Sequence, residues 1–387
     1  MSLTFAGQGR SLPQTLAIQS QIHLPGTVGR VLKQIRDIEQ VAPLFVDAGL
    51  VHPVKREIAL NARVAGIATR ATTTKTIGGY LYAAAAVRMD LSAEDNVIST
   101  IGQDSTCELD DIDYEDQSKR LQLINVRQAY EMADAALRSS DQFDLIMLDC
   151  PLVLNRSMVP LREDESDAAF REAFIAATDA IKNFWNNHRD RLLPWNPNGT
   201  AVLGLASQRF GAIVYVARQD LRTEAGRQQI LDTEGVDETQ IQAISKLSKS
   251  ISGIGERRFV HGILSSYTRT AAFRMNVQSP RMEPIEITKL GVIGFHFKAA
   301  HSMTPRLLQL IGDSPLWTRP MLDKVCSQVM ALTVVGGAQA APLPIQLAER
   351  EQQALDKFLE YYNQGVLQEI KRKEIEDLWL SDFDSPI

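Results

Sequence analysis

Two short apolar runs that each stop at an aspartate constrain this chain more than any other feature: LFVDAGL at 44–50 and DLIMLDC at 144–150. Such a run reads as a buried strand that delivers a carboxylate at its C-terminal end. Between and beyond the two runs lie stretches with helical spacing. Val126, Ala129, Tyr130, Ala133 and Leu137 share one face of a helix over 126–138, with Asn125 as its cap. Residues 164–192 read as a second helix, apolar along Phe170, Phe174, Ile181 and Phe184. Strand with acid, helix, strand with acid is the beginning of an α/β fold containing a parallel pair.

The rest of the chain fits that class. GGYLYAAAAVRMDL (78–91) reads as a strand, although its alanines also suit a helix, and the acidic run CELDDIDYED (107–116) reads as a loop. AVLGLAS (201–207), GAIVYVA (211–217), FVHGILSS (259–266), IEITKLGVIGFHFKA (285–299) and ALTVVGG (331–337) supply further apolar, strand-like segments. Helical insertions are expected near 160–195 and 219–256, and an amphipathic helix or helix pair from Leu347 onward. Residues 1–40 form an N-terminal helical arm divided by Pro25-Gly26, ahead of one domain over 41–387.

Composition narrows the function classes. With 387 residues, 44% of them hydrophobic and 23% charged, the chain can bury a large core and is not disordered. A net charge of −6 argues against a generally basic coat, yet leaves room for one basic groove. Cys107, Cys150 and Cys326 are too few and too scattered for a disulfide scaffold or zinc cluster. No signal peptide and no uninterrupted apolar span is present, so the expected location is the cytoplasm, with no membrane partner. A phosphate-binding GxxxxGK[ST] loop is absent, and the chain should not hydrolyse ATP itself.

Asp47 and Asp149 lead the candidate catalytic residues, since the ends of parallel strands fall on one edge of a sheet. Glu131, on the helix feeding the second run, is a third, with Asp134 one turn later as its competitor. Three carboxylates together make a hard oxygen site for Mg²⁺ or Mn²⁺. Each aspartate equally suits a turn, and Glu131 suits a solvated helix face. His296 and His301 have no zinc spacing, and Asp111, Asp113 and Glu115 lack the glycine of a calcium loop. Arg257, Arg258, Arg269 and Lys298, with Arg274 and Arg306, are the basic residues placed to meet DNA phosphates.

The order VDAG (46–49), a helix carrying Glu131, LIMLDCPL (145–152) and APLPIQLAER (341–350) resembles the NurA nuclease family. Its strands read VDGS-like at the first acid and LLLDGSL-like at the last, with a final YPxPLxxAH-like motif before a helix. The resemblance spans about 40–365 and implies an RNase H-like mixed sheet flanked by helices. It also implies a toroidal homodimer, Mn²⁺-dependent exo- and endonuclease activity on DNA, and a hexameric HerA-type ATPase partner. The roles implied are DNA end processing or anti-phage defence. Ala48-Gly49 and Cys150-Pro151 replace the family's Gly-Ser pairs, and no tyrosine stands near Ala340. Glu349 falls where the family has a metal-site histidine, and a carboxylate there remains a ligand for the same ions. These departures admit an alternative: a catalytically impaired subunit that docks on the ATPase ring and binds DNA.

Overall fold

The computed structural model describes residues 11–373, apart from 58, 77–78, 96, 140–141, 153, 155, 162–167, 207–233, 248–250, 252, 276–290, 313–315 and 337–338. Helix α1 (Leu12–Asp47) opens the fold. Ser11 and Gln14 form a capping box at its start, and Pro13 occupies the first turn, where its missing N–H costs nothing. It runs unbroken through Pro25-Gly26, for about 54 Å at 1.5 Å per residue.

The far end of α1 corrects the first strand expected from the sequence. LFVDAGL is a helix terminus: Gly49 adopts φ +73°, its N–H bonds Val46 O, and Leu50 N–H bonds Phe45 O. This is a Schellman C-cap, sealed by burial of Phe45 and Leu50 in one cluster. The apolar run reflects a helix face seated on the body, followed by the short strand β1 (Val51–Pro53).

Next comes an antiparallel meander of long strands, β2 (Ala62–Thr76), β3 (Gly79–Glu94) and β4 (Val97–Asp113). Helix α2 (Gln117–Arg138) crosses back, and β5 (Leu145–Leu148) enters parallel to β2. Helix α3 (Ala168–His188) crosses again, and β6 (Ala201–Ala206) lies parallel to β5. The spatial order β4-β3-β2-β5-β6 is the RNase H-like core. Three antiparallel strands come first, and then two parallel ones joined by helices.

Beyond β6 the sheet continues antiparallel through later segments of the chain. These are β7 (Thr268–Thr270), β8 (Phe273–Arg274), β9 (Val292–Lys298) and β10 (Arg306–Ile311), arranged β6-β10-β9-β7-β1 with β8 also on β9. Helices α4 (Glu238–Lys246) and α5 (Glu256–Ile263) pack with the C-terminal third of α1. Helix α6 (Arg319–Leu332), the hairpin β11 (Thr333–Gly336)–β12 (Gln339–Pro342), α7 (Leu343–Glu351) and α8 (Ala354–Arg372) complete the described chain.

The central strands are buried on both faces, which is why they read as continuous apolar runs. Ala65, Ile67, Ile146, Leu148 and Val202 face α2 and α3, while Val64, Leu145, Met147, Ala201 and Leu203 face α6 and α7. This strict alternation determines which way the residue after Leu148 points.

Other expectations are also revised. The acidic run 107–116 is mostly strand: β4 pairs with β3 along its length, and Glu108 accepts hydrogen bonds from Tyr82 and Arg127. The polar-looking β2 was missed because threonine and alanine dominate its sequence. FVHGILSS is largely helix α5, whose Phe259 and Val260 are buried one turn apart from Ile263. GAIVYVA and half of the 219–256 insertion lie outside the described residues.

Candidate metal and nucleic-acid site

Asp149 emerges one residue past β5, at the edge where the parallel strands end. Its backbone N–H continues the ladder by donating to Ile67 O at 2.8 Å. Leu148 faces α2 and α3, so Asp149 turns to the opposite face, beneath α7. Helix α7 can lie close there because Gly66 has no side chain; a Cβ would stand 2.6 Å from Pro344. Gln352 anchors the end of α7 by donating to Ala68 O (2.7 Å) and Ala85 O (3.2 Å).

This docking sets Glu349 near enough to Asp149 for the two carboxyls to interact. Arg306, the first residue of β10, reaches the same place. Its Nη2 lies 3.3 Å from Asp149 Oδ1 and its Nη1 donates to Ala340 O on β12. Burial pushes the Asp149 carboxyl up to about 7; Arg306 opposes the rise and Glu349 adds to it. Only 23% of the Asp149 side chain meets solvent. Two acids thus share one locus under partial neutralisation by an arginine.

The structure brings Asp149 and Glu349 together and leaves Asp47 and Glu131 elsewhere. Asp47 is exposed at the last turn of α1 and leads into β1. Five strand positions separate β1 from β5 in the sheet, about 24 Å at a spacing of ~4.8 Å. Glu131 points outward from α2, 57% exposed, with Arg127 at 3.9 Å. Asp134 clamps α2 to α3 through His188 (2.8 Å) and also pairs with Arg138 (2.9 Å). Among the described residues no three acid, histidine or cysteine side chains converge as a metal cluster. The position paired with Asp149 belongs to β2, not to the VDAG segment. There the register Ile67↔Leu148 leads to Ala68, fully buried against Ala348.

The basic candidates also divide. Arg269 is fully buried: its guanidinium bonds Glu234 (2.8 and 3.2 Å) and Asp323 (2.7 Å), with His52 Nε2 2.8 Å from Glu234. Lys298 is buried as well, its ammonium donating to the carbonyls of His261 and Leu264. Both serve the fold and cannot meet DNA. Arg257 and Arg258 are exposed in the first turn of α5, Arg258 donating to Gln34. Arg306, which sequence reasoning treated only as one basic residue among several, sits at the acid pair. Buried His296 packs near Phe273.

No family model matches the sequence, and no curated protein is significantly similar to it. Solved structures are similar in fold. The NurA nuclease from Sulfolobus solfataricus superposes with a TM-score of 0.56 at 11% identity, covering 92% of this chain and 97% of that one. A structure of NurA with manganese matches at a TM-score of 0.44 and 9% identity, over 91% of this chain and 98% of that one. The architecture built above, a meander, two parallel strands and an antiparallel extension, is the fold of the NurA nuclease.

Proposed function

We propose that this chain is a divalent-metal-dependent DNA nuclease, hydrolysing phosphodiesters by exo- or endonucleolytic cleavage, with Asp149 and Glu349 at its reacting centre. The observation that carries the proposal is the carboxyl pair at the C-terminal edge of the parallel strands, where α/β sheets place their sites. The donor set fits Mg²⁺ or Mn²⁺: hard oxygens, one largely buried, in the small number that Mg²⁺ accepts beside water and phosphate. Asp149 and Glu349 would hold the ion. When bound, such an ion polarises the phosphodiester and acidifies water. A bound cation would favour the ionised form of Asp149, which burial opposes. Arg306 then holds a phosphate oxygen at the same edge and offsets charge gained on the scissile group. The exposed Arg257 and Arg258 supply further backbone contacts.

The partner reading rests on α1. Leu24, Val28, Val31, Ile35, Ile38, Ala42 and Phe45 recur at spacings of four and three, an apolar seam with heptad period. Its inner half is buried at Ile38 and Phe45, whereas Leu24, Val28 and Ile35 are between 42% and 59% exposed. An uncovered seam of that kind suits a protein partner, such as a second copy or a ring-shaped HerA-type ATPase. With such a translocase, the activity would serve DNA end processing or anti-phage defence.

Ala68 favours a second reading. A strand that brings no acid to the side of Asp149 suits a subunit that binds DNA and docks on the ring without cutting. Incubating plasmid and single-stranded DNA with the protein and Mn²⁺ or Mg²⁺, with and without the ATPase, separates the two. Metal-dependent products support the nuclease; intact DNA under all conditions selects the non-cutting subunit.

A further inference from the structure

We propose that the cleft at the start of α5 binds a backbone phosphate of a single nucleic-acid strand. The cleft has a volume of about 580 Å³ and is lined by Gln34, Gly255, Arg257, Arg258, His261 and Thr304. That is room for one nucleotide unit, not for a duplex. Its charge is one-sided. Two arginines and His261 line it, and the Lys298 ammonium lies behind it on the carbonyls of His261 and Leu264. Among the described residues no carboxylate pairs with any of these four. His261 reports the resulting potential: burial first, then Lys298, His301 and Arg257, hold its imidazole below the ordinary pKa.

Local charge is unfavourable until an anion arrives. Arg257 and Arg258 occupy the first turn of α5, where the helix dipole repels cations. The N-cap is Gly255, which offers no side-chain oxygen to the amides of that turn. A phosphate accepts from the guanidiniums and the Thr304 hydroxyl, and it offsets the dipole as well. Gln34 of α1 holds Arg258 through its carboxamide oxygen, while Arg257 has no hydrogen-bond or ion-pair partner among the described residues.

The cleft and the acid pair draw on one segment of the chain. Thr304 stands two residues before Arg306, which bonds Asp149, a chain distance of roughly 7 Å at full extension. The assignment rests on the nucleic-acid reading above, but not on catalysis.

The test is fluorescence anisotropy of a labelled single-stranded DNA oligonucleotide, in EDTA and over a salt series. It compares wild type, Arg257→Ala, the Arg257→Ala/Arg258→Ala pair and Glu131→Ala. Inorganic phosphate and a nucleoside monophosphate serve as competitors. The double variant should bind about tenfold or more weakly, with a salt slope shallower by about two, while Glu131→Ala binds like wild type. Arg257→Ala alone, at an exposed site that leaves the fold intact by thermal melting, should remove about one unit of slope. Unchanged affinity and slope in the arginine variants overturn the proposal. Displacement by the monophosphate at the oligonucleotide's own affinity overturns the strand and assigns the cleft to a free nucleotide. Arginine-dependent binding without metal-dependent cleavage upholds the cleft and rejects only the nuclease.

Discussion

Asp149 and Ala68 are neighbours across two parallel strands: the ladder pairs Ile67 with Leu148, and the next step faces the buried methyl of Ala68 toward the acid pair. A carboxylate at position 68 would complete a three-acid site with Asp149 and Glu349. Ala68→Asp should therefore strengthen Mn²⁺ binding, seen as a larger rise in melting temperature with added metal. Without metal it should destabilise by about 2–4 kcal/mol, since an acid at this buried position lacks a partner. Cleavage should rise about tenfold. A variant that neither binds metal better nor cuts faster would show that the ladder does not set the site.

Glu349 and the two acids placed elsewhere make a contrast. Glu349→Gln should lower metal-dependent cleavage by about 10–100-fold, the usual scale for altering a group at a metal site. Asp47→Ala and Glu131→Ala should leave rate and metal affinity within about twofold, since both are exposed and remote from the pair. Initial rates across a Mn²⁺ titration check all three.

The buried Arg269 cluster predicts acid sensitivity. Burial alone would raise the Glu234 carboxyl, but His52 at 2.8 Å and hydrogen bonds from Arg269 hold it down at about 2, against 4.5 when exposed. A depressed carboxyl stabilises the fold above its unfolded pKa and loses that contribution as pH falls from about 4.5 through 2. The difference corresponds to roughly 3 kcal/mol. Glu234→Gln should lose this part of the acid dependence. At neutral pH it should be less stable by about 3–5 kcal/mol, because Arg269 keeps only Asp323 as its acid. Denaturant unfolding between pH 2 and 7 measures both.

The apolar seam on α1 predicts an effect on assembly rather than on folding. Val28→Asp with Ile35→Asp alters two half-exposed positions outside the buried clusters. Stability should change by about 0.5 kcal/mol or less per site. Light scattering should show loss of self-association or of co-migration with the ATPase ring. Unaltered assembly would remove α1 from the interface.

Much of the fold was legible because its periodicities are strong. The burial of Val126, Ala129, Tyr130, Ala133 and Leu137 on α2, the run LIML closing at Asp149 and the C-terminal helices all appear where spacing puts them. The site was half legible. LFVDAGL failed because a helix seated on a core and a buried strand give the same short apolar run. The one discriminating sign was Gly49, in the left-handed conformation that ends a helix. Misplacing that segment hid the first strand of the central core, β2, whose alanines and threonines carry no strong alternation. Arg269 and Lys298 misled for another reason. A cation buried with its partners looks the same in sequence as one facing solvent, because Glu234 and Asp323 are 35 and 54 residues away from Arg269.

The account turns on whether Asp149 takes part in cutting DNA. The direct measurement is Mn²⁺-dependent degradation of a labelled single strand by wild type and by Asp149→Asn at equal folded concentration. The account predicts cleavage by wild type that falls by about a hundredfold in the variant, while binding of the strand in EDTA stays the same. Equal cleavage by the two proteins would contradict it.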